Sequence, residues 1–399
     1  MSTLVIGVGT QIGLEIIRSL GKYGVSVYGA GPGKNQLGFY SKYIGKKFIL
    51  PFSPEEVFIE RLFEILKNNP EIKYLIAISE RNITVLNKYR SELQKYVKPL
   101  FPPQEVMEYA LDVRKTFNIA KRLEIPTPNT IFLNNENDVE KCKYLNFPVV
   151  TKPANRNFNS PAYQKINYKL KYFFSYKSLK NHLKLFKECG YYPLVQEYCK
   201  GEEFCFPIIM IKGKAVACFQ YLVLHASPVR GGVSVLRESI PLNSKLKSYS
   251  IEILKAINWE GVAQIDYIRD HKDNQIKLLE INGRFWGATP LPSRAGMPFP
   301  YLLYLSLGKG KNFYTEDYKI GVKCRILGGE TTRLLEILKA PPHKFGISKW
   351  QAIKEYISLF FDPSVKYDIQ TLDDPLPGIM DIWFMIKKVF GFLSSDFNA

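Results

Sequence analysis

The chain has 399 residues, 46% hydrophobic and 23% charged, a balance that fits a globular protein of two or three domains. Lys and Arg number 55 against 37 Asp and Glu, a net charge of +18. These figures exclude a disordered chain, a collagen and a coiled coil. They point to polyanionic partners without choosing among nucleic acid, an acidic membrane and phosphate-bearing ligands.

Six cysteines are present and no two form a C-x-x-C pair; only four histidines accompany them. Buried free thiols in a reducing compartment are expected, and a zinc site is not. Met1 leads straight into an apolar run without the basic region of a secretory signal. No apolar stretch is long enough to span a bilayer. A cytoplasmic location is the expectation.

The first third alternates short apolar runs with amphipathic patterns. Thr3–Val8, Ser26–Ala30, Lys47–Leu50, Tyr74–Ser79 and Lys98–Phe101 read as strands. Gln11–Lys22, Pro54–Asn68 and Glu80–Tyr96 read as helices. Such alternation predicts a doubly wound parallel sheet. Gly7-x-Gly9 and Gly13 fall in the first turn, one residue off the dinucleotide spacing. The loop reads either as a phosphate-binding turn or as a tight turn with close helix–sheet packing. A nicotinamide-dependent oxidoreductase would rest on this loop alone.

Gln104–Pro128 reads as a helical hinge ending in Pro126-Thr127-Pro128, where a domain boundary is plausible. Phe147 to Gly308 mixes strands, hairpins and helices as an α+β unit does. The remainder reads as less regular and ends in an apolar helix.

The densest chemistry lies in Ile276-Lys277-Leu278-Leu279-Glu280-Ile281-Asn282-Gly283-Arg284. Alternation along a strand puts Glu280, Asn282 and Arg284 on one side and Ile281 in the core. The preceding strand, Gly261–Ile268, carries Gln264 and Asp266 on one face, and Asp270–Asn274 turns it back on the next. Asp266, Glu280 and Asn282 then offer the oxygens that Mg²⁺ prefers, and Mn²⁺ accepts the same set. Arg284 is suited to a phosphoryl group by its forked geometry. The alternative is a solvent-facing row with an incidental ion pair. Lys152 ends an apolar strand just before Pro153, where it reads as a phosphate contact or as a snorkelling surface lysine. Leu194–Glu203 runs from an apolar strand through a polar turn to an acidic pair, and reads as a purine-reading turn or an ordinary hairpin.

Taken together, FPVVTKP, LVQEYCKGEE, RGGVSVLRES, NWEGVAQIDYIRD, LLEINGRFWG and PSRAGMPFP resemble the ATP-grasp superfamily, and within it the predicted ATP-dependent carboligases. The likeness covers Val106 to Gly308 and, more loosely, the N-terminal sheet. It implies a Rossmann-like domain over 1–105 and a two-lobed ATP-grasp domain over 106–318. The lobes would divide near 193/194, the small one beginning at about 112. A C-terminal extension over 319–399 would follow.

The resemblance also implies an ADP-forming carboxylate–amine ligase that acts through an acyl phosphate and uses ATP and Mg²⁺. Lys152 matches the lysine on the α/β-phosphates. Gln196, Glu197, Tyr198 and Cys199 match the adenine hinge, and Glu203 the ribose acid. Asp266, Glu280 and Asn282 match the metal ligands and Arg284 the catalytic arginine. The lysine that usually follows the hinge aspartate is absent, because Val113 follows Asp112; Arg114 or Lys115 would substitute. The loop after Lys152 lacks the usual glycines, and Arg156 there adds charge. Before Gly231-Gly232, only His225 and Arg230 remain of the expected basic residues.

Arg230, Arg237 and Arg294 are candidates to hold a carboxylate or phosphate of the substrate. Expected partners are small-molecule carboxylate and amine substrates, with no nucleic acid. The alternative is a basic peripheral binding protein, on an anionic membrane surface or on nucleic acid, with a weakened or non-catalytic nucleotide site. Ile379, Ile382, Ile386, Phe390 and Leu393 form a helical stripe beside Lys387 and Lys388. It reads as a helix docked on its own domain, the alternative being a helix lying on a membrane.

Overall fold

The computed structural model describes residues 1–156, 170–189, 192–229, 231–342 and 344–395. Its first unit is a parallel sheet of β1 (Ser2–Ile6), β2 (Ser26–Gly31), β3 (Ile44–Ile49), β4 (Ile72–Ala77) and β5 (Lys98–Pro99). The strand order is β3-β2-β1-β4-β5, the doubly wound arrangement expected. β1 is buried along its whole length. β3 begins three residues earlier than its apolar pattern suggests. It is an edge strand, and Gly45, Lys46 and Lys47 face solvent there.

The glycines of the first turn are explained by packing. A Cβ on Gly13 would stand 2.5 Å from the Gly7 carbonyl oxygen, and Gly7 itself has φ +99°. The long helix expected over Glu80–Tyr96 is instead two pieces, Glu80–Lys88 and Arg90–Leu93, which part at Tyr89.

The small lobe is a sheet of β6 (Thr130–Phe132), β9 (Leu194–Glu197), β7 (Val149–Lys152) and β8 (Lys171–Phe173), in that order. Val139, Val149, Leu179 and Val195 belong to a core of its own. The large lobe is a mostly antiparallel sheet. It contains β10 (Gly201–Ile211), β11 (Lys214–Cys218), β12 (Tyr221–Ser227), β13 (Val233–Ser239), β14 (Gly261–Asp270) and β15 (Ile276–Asn282). Its core runs on into the N-terminal sheet: Phe206, Trp259 and Tyr267 pack in one cluster with Leu4, Phe58 and Leu75. The large lobe and the first domain thus share one hydrophobic body, and the small lobe faces it across a cleft.

The C-terminal segment is more regular than expected. β16 (Lys323–Arg325) pairs with β13, and β17 (Val365–Tyr367) pairs with β16, so the extension lengthens the large-lobe sheet. The final helix, Leu376–Ser395, corrects the docked-stripe expectation. Ile379, Ile382, Trp383 and Ile386 are exposed, while Phe384 packs on Leu14, Leu37 and Ile369. Apolar residues occupy both sides of this helix, so the 3.6-residue period alone selects the wrong face. Among the described residues, no helix is long and apolar enough to cross a membrane.

Candidate active site

The antiparallel pairing of β14 with β15 sets Asp266 opposite Glu280 and Gln264 opposite Asn282. β10 adds Cys205 opposite Asp266, and β12 adds Tyr221 opposite Cys205. One row of side chains therefore crosses four strands. Asn282 Nδ2 donates to Asp266 Oδ2 at 2.9 Å and lies 3.4 Å from Glu280 Oε1. Gln264 Nε2 donates to Asp266 Oδ1 at 2.6 Å, and its own oxygen accepts from the buried Tyr221 hydroxyl at 2.8 Å. This second layer fixes the angle at which Asp266 faces Glu280. Asn282 turns its nitrogen to the two carboxylates. Presenting its oxygen to a cation requires the amide to rotate by about 180°.

Two facing carboxylates in a dry row raise the cost of ionising both. Burial, and then Glu280, push Asp266 up to about 7. Burial also acts on Glu280, but Arg156, Lys152 and Arg284 together hold it below the ordinary glutamate value. A divalent cation between the two would remove the tension, and this donor set fits Mg²⁺. Among the described residues no cluster of three or more His, Cys, Asp and Glu is arranged to hold a metal. Two carboxylates and an amide need phosphate and water oxygens to complete a Mg²⁺ shell.

The row forms one wall of a cleft of about 1000 Å³ between the lobes. Lys152, at the end of β7, projects into it from the small lobe, and burial lowers its pKa from the ordinary lysine value. Glu203 stands on β10 in the same cleft, raised by burial and then by Glu280. Gln196, Glu197, Tyr198 and Cys199 line its far end. Gln196 is buried and donates to Thr130 Oγ1 at 2.8 Å. The Glu197 carboxylate accepts from Asn129 and Asn146 and so braces the turn. The Tyr198 N–H donates to the Pro148 carbonyl. Burial pushes the Cys199 thiol up to about 12, which keeps it neutral. Arg284 also lines the cleft, half-buried, with Nη1 donating to the Phe285 carbonyl at 2.9 Å.

Other expected residues do not reach the cleft. The helix Val113–Arg122 is capped by Asp112, which accepts from the Arg114 N–H, and the two side chains after Val113 point elsewhere. Arg114 donates to Asn134 and Lys115 pairs with Glu108, and neither lines the cleft in this structure. Arg294 lies 3.6 Å from Glu15 of the first helix and donates to the Tyr367 carbonyl. Arg237 is fully buried on Asp368 at 2.8 Å. His225 bonds Glu330 and Glu355 of the extension at 3.0 and 3.1 Å. These three basic groups serve the internal seam between domains. Arg230 lies outside the described residues.

Sequence reasoning passed over Glu80. It is buried, accepts from Arg156 Nη1 at 3.0 Å on both oxygens, and lies 3.8 Å from Arg284 Nε. Arg156 in turn donates to Glu280 at 2.6 Å. One signal was available: Glu80 follows the carboxyl end of β4, where parallel sheets bind ligands.

No protein-family profile matches the chain. It is similar to the D-aspartate ligase of Enterococcus faecium, 23% identical over 265 residues. That match covers 61% of this chain and 62% of the relative, less than two thirds of its length. It is also similar in structure to the biotin carboxylase domain of the Hydrogenobacter thermophilus 2-oxoglutarate carboxylase, solved with MgADP and bicarbonate. The TM-score is 0.62 at 14% identity, over 81% of this chain and 73% of that one. The L-amino acid ligase from Bacillus licheniformis gives a TM-score of 0.58 at 15% identity, over 77% and 74%. The chain has the ATP-grasp fold: a parallel-sheet domain followed by two lobes that enclose a cleft.

Proposed function

We propose that the protein is an ATP- and Mg²⁺-dependent ligase that joins a carboxylate to an amine and releases ADP and phosphate. The observation that carries this reading is the Asp266–Glu280 pair, with Arg284 beside it on the large lobe and Lys152 reaching the same cleft from the small lobe. The adenine end is lined by Gln196 to Cys199, and Glu203 is placed to accept ribose hydroxyls. Lys152 neutralises phosphate oxygens from the small lobe. Asp266, Glu280 and Asn282 would hold Mg²⁺, which would supply charge neutralisation at the phosphates. A substrate carboxylate attacks the γ-phosphorus, which gives an acyl phosphate and ADP. The amine nitrogen then attacks the acyl carbon, and phosphate leaves. Arg284 is positioned to steady the charge on the transferring group. The D-aspartate ligase and L-amino acid ligase likenesses support amino acids as the first substrates to try. An ADP-release screen of purified protein against pooled carboxylates and amines tests the reading. ADP release that needs one member of each pool is expected. ATP hydrolysis indifferent to both pools counts against ligation.

A peripheral membrane contact is a second, separable reading. It rests on the outward face of the last helix, where Trp383 lies under the Lys387 ammonium at 5.0 Å beside Ile379, Ile382 and Ile386. Co-sedimentation with anionic vesicles is expected, and it should be lost in Trp383→Ser.

A further inference from the structure

Glu80 belongs to the N-terminal sheet domain, yet its carboxylate is directed into the clamp. An acid in the first turn of a helix ordinarily answers the helix dipole. Ser79 already caps this helix by accepting from the Asn82 N–H at 3.1 Å. The Glu80 oxygens are instead both engaged by Arg156 Nη1 at 3.0 Å, with Arg284 Nε 3.8 Å away. The other terminal nitrogen of Arg156 holds Glu280 at 2.6 Å. Three parts of the chain meet here: Glu80 from the first domain, Arg156 from the small lobe, and Glu280 with Arg284 from the large lobe.

Lys152, Arg156 and Arg284 would face one another with too little negative charge if Glu80 were removed. Buried cations left without partners are costly, and long guanidinium side chains leave such a site. A metal ion held by Glu280 would compete with Arg156 for that carboxylate. Arg156 would keep Glu80 as its anchor, and its guanidinium would then lie within reach of an anion at the end of the phosphate chain.

We propose that Glu80 is a positioning residue for the phosphate end of the cleft. It holds Arg156 directly, and Arg284 by charge, against the terminal phosphate of the bound nucleotide. The inference rests on the ligase reading above and adds that the first domain helps recognise the transferring group. It also makes Arg156 a direct contact of that group.

The test compares the affinities of Mg·ADP and of the Mg²⁺ complex of the β,γ-imido analogue of ATP. Calorimetry is run on the wild type, Glu80→Gln and Arg156→Gln. The expected result is Mg·ADP affinity within about threefold of wild type in both variants. The preference for the triphosphate should fall by about tenfold or more, the size expected when one charge-assisted contact is lost. A purely structural role would lower the melting temperature and weaken both ligands equally, and that result overturns the proposal. An unchanged ratio overturns it too. If Glu80→Gln does not fold, Glu80→Asp keeps the charge while retracting the oxygens. It should show the same loss in smaller measure, and an unchanged ratio there is equally fatal. A wild type that binds neither nucleotide overturns the ligase reading with it, whereas a wild type that binds beside unaltered variants overturns this inference alone.

Discussion

Two clusters of buried charge in this protein are paired differently. At the seams that join the first domain, the large lobe and the C-terminal extension, each of three guanidiniums meets an acid from another part of the chain. Arg18 meets Asp374 at 2.9 Å, Arg237 meets Asp368 at 2.8 Å and Arg294 meets Glu15 at 3.6 Å. His225 sits between Glu330 and Glu355 in the same manner. In the cleft, two carboxylates face each other, and Arg156 is shared between Glu280 and Glu80. The three seam pairs set one cation against one anion, although burial still raises the Glu15 pKa. In the cleft a carboxylate faces a carboxylate, and Asp266 is pushed up to about 7 by burial and by Glu280. Charge at the seams holds elements together, whereas the unevenly paired charge in the cleft supports the proposed cation and phosphate site.

The contrast can be broken by experiment, beginning with the largest effect. Glu280→Gln keeps the shape of the row and removes its charge. ADP release is expected to drop on the order of 10³-fold with little change in melting temperature. A drop in stability instead would place Glu280 with the seam residues. Asp368→Asn should behave in the opposite way. It strands the fully buried Arg237 and is expected to cost about 3 kcal/mol in denaturant unfolding. Nucleotide affinity of the folded fraction should stay at the wild-type level.

The pH dependence of stability sharpens the seam further. Burial lowers the His225 pKa, but Glu330 and Glu355 outweigh it, and the net shift is upward. The charged form is therefore favoured by folding. Its contribution is whole below the unfolded value of about 6.5 and is lost as pH rises through the higher folded value. Arg333 is the cation that opposes this shift. Urea midpoints should fall as pH rises above about 6.5 through the higher folded value in the wild type, and less so in His225→Gln. The smallest effect belongs to the outer face of the last helix. Trp383→Ser should change stability by no more than about 0.5 kcal/mol, since the ring is half exposed and its one cation contact, Lys387, is on its own helix. Phe384→Ala, on the inner face, should cost measurably more.

The strand pair β14–β15 was legible because a period of two leaves Glu280 and Asn282 on one side, but the turn alone does not set their partners: a bulge at Leu279 shifts the register by one residue and brings Asp266 opposite Glu280 and Gln264 opposite Asn282. The parallel sheet was legible for a different reason, the alternation of short apolar runs with amphipathic helices, except at the solvent-facing edge strand β3. Arg294 and Arg237 were assigned to substrate because a lone arginine near a glycine-rich motif gives no hint of its partner. Their acids, Glu15 and Asp368, lie far off in sequence and come together only through the packing of the first helix and the extension. Arg114 and Lys115 were expected to fill the place of a missing lysine. Helix geometry turns them toward Asn134 and Glu108. Glu80 was passed over because an acid at the start of a helix is ordinary in sequence, and its two arginines come from other domains.

The most direct test of the central claim is nucleotide binding with and without Mg²⁺, read by thermal unfolding. ADP or ATP should raise the melting temperature only when Mg²⁺ is present, and Glu280→Gln should abolish the shift while keeping the wild-type baseline. No shift in the wild type, or a shift that survives in Glu280→Gln, would contradict a metal-bridged nucleotide site on this row.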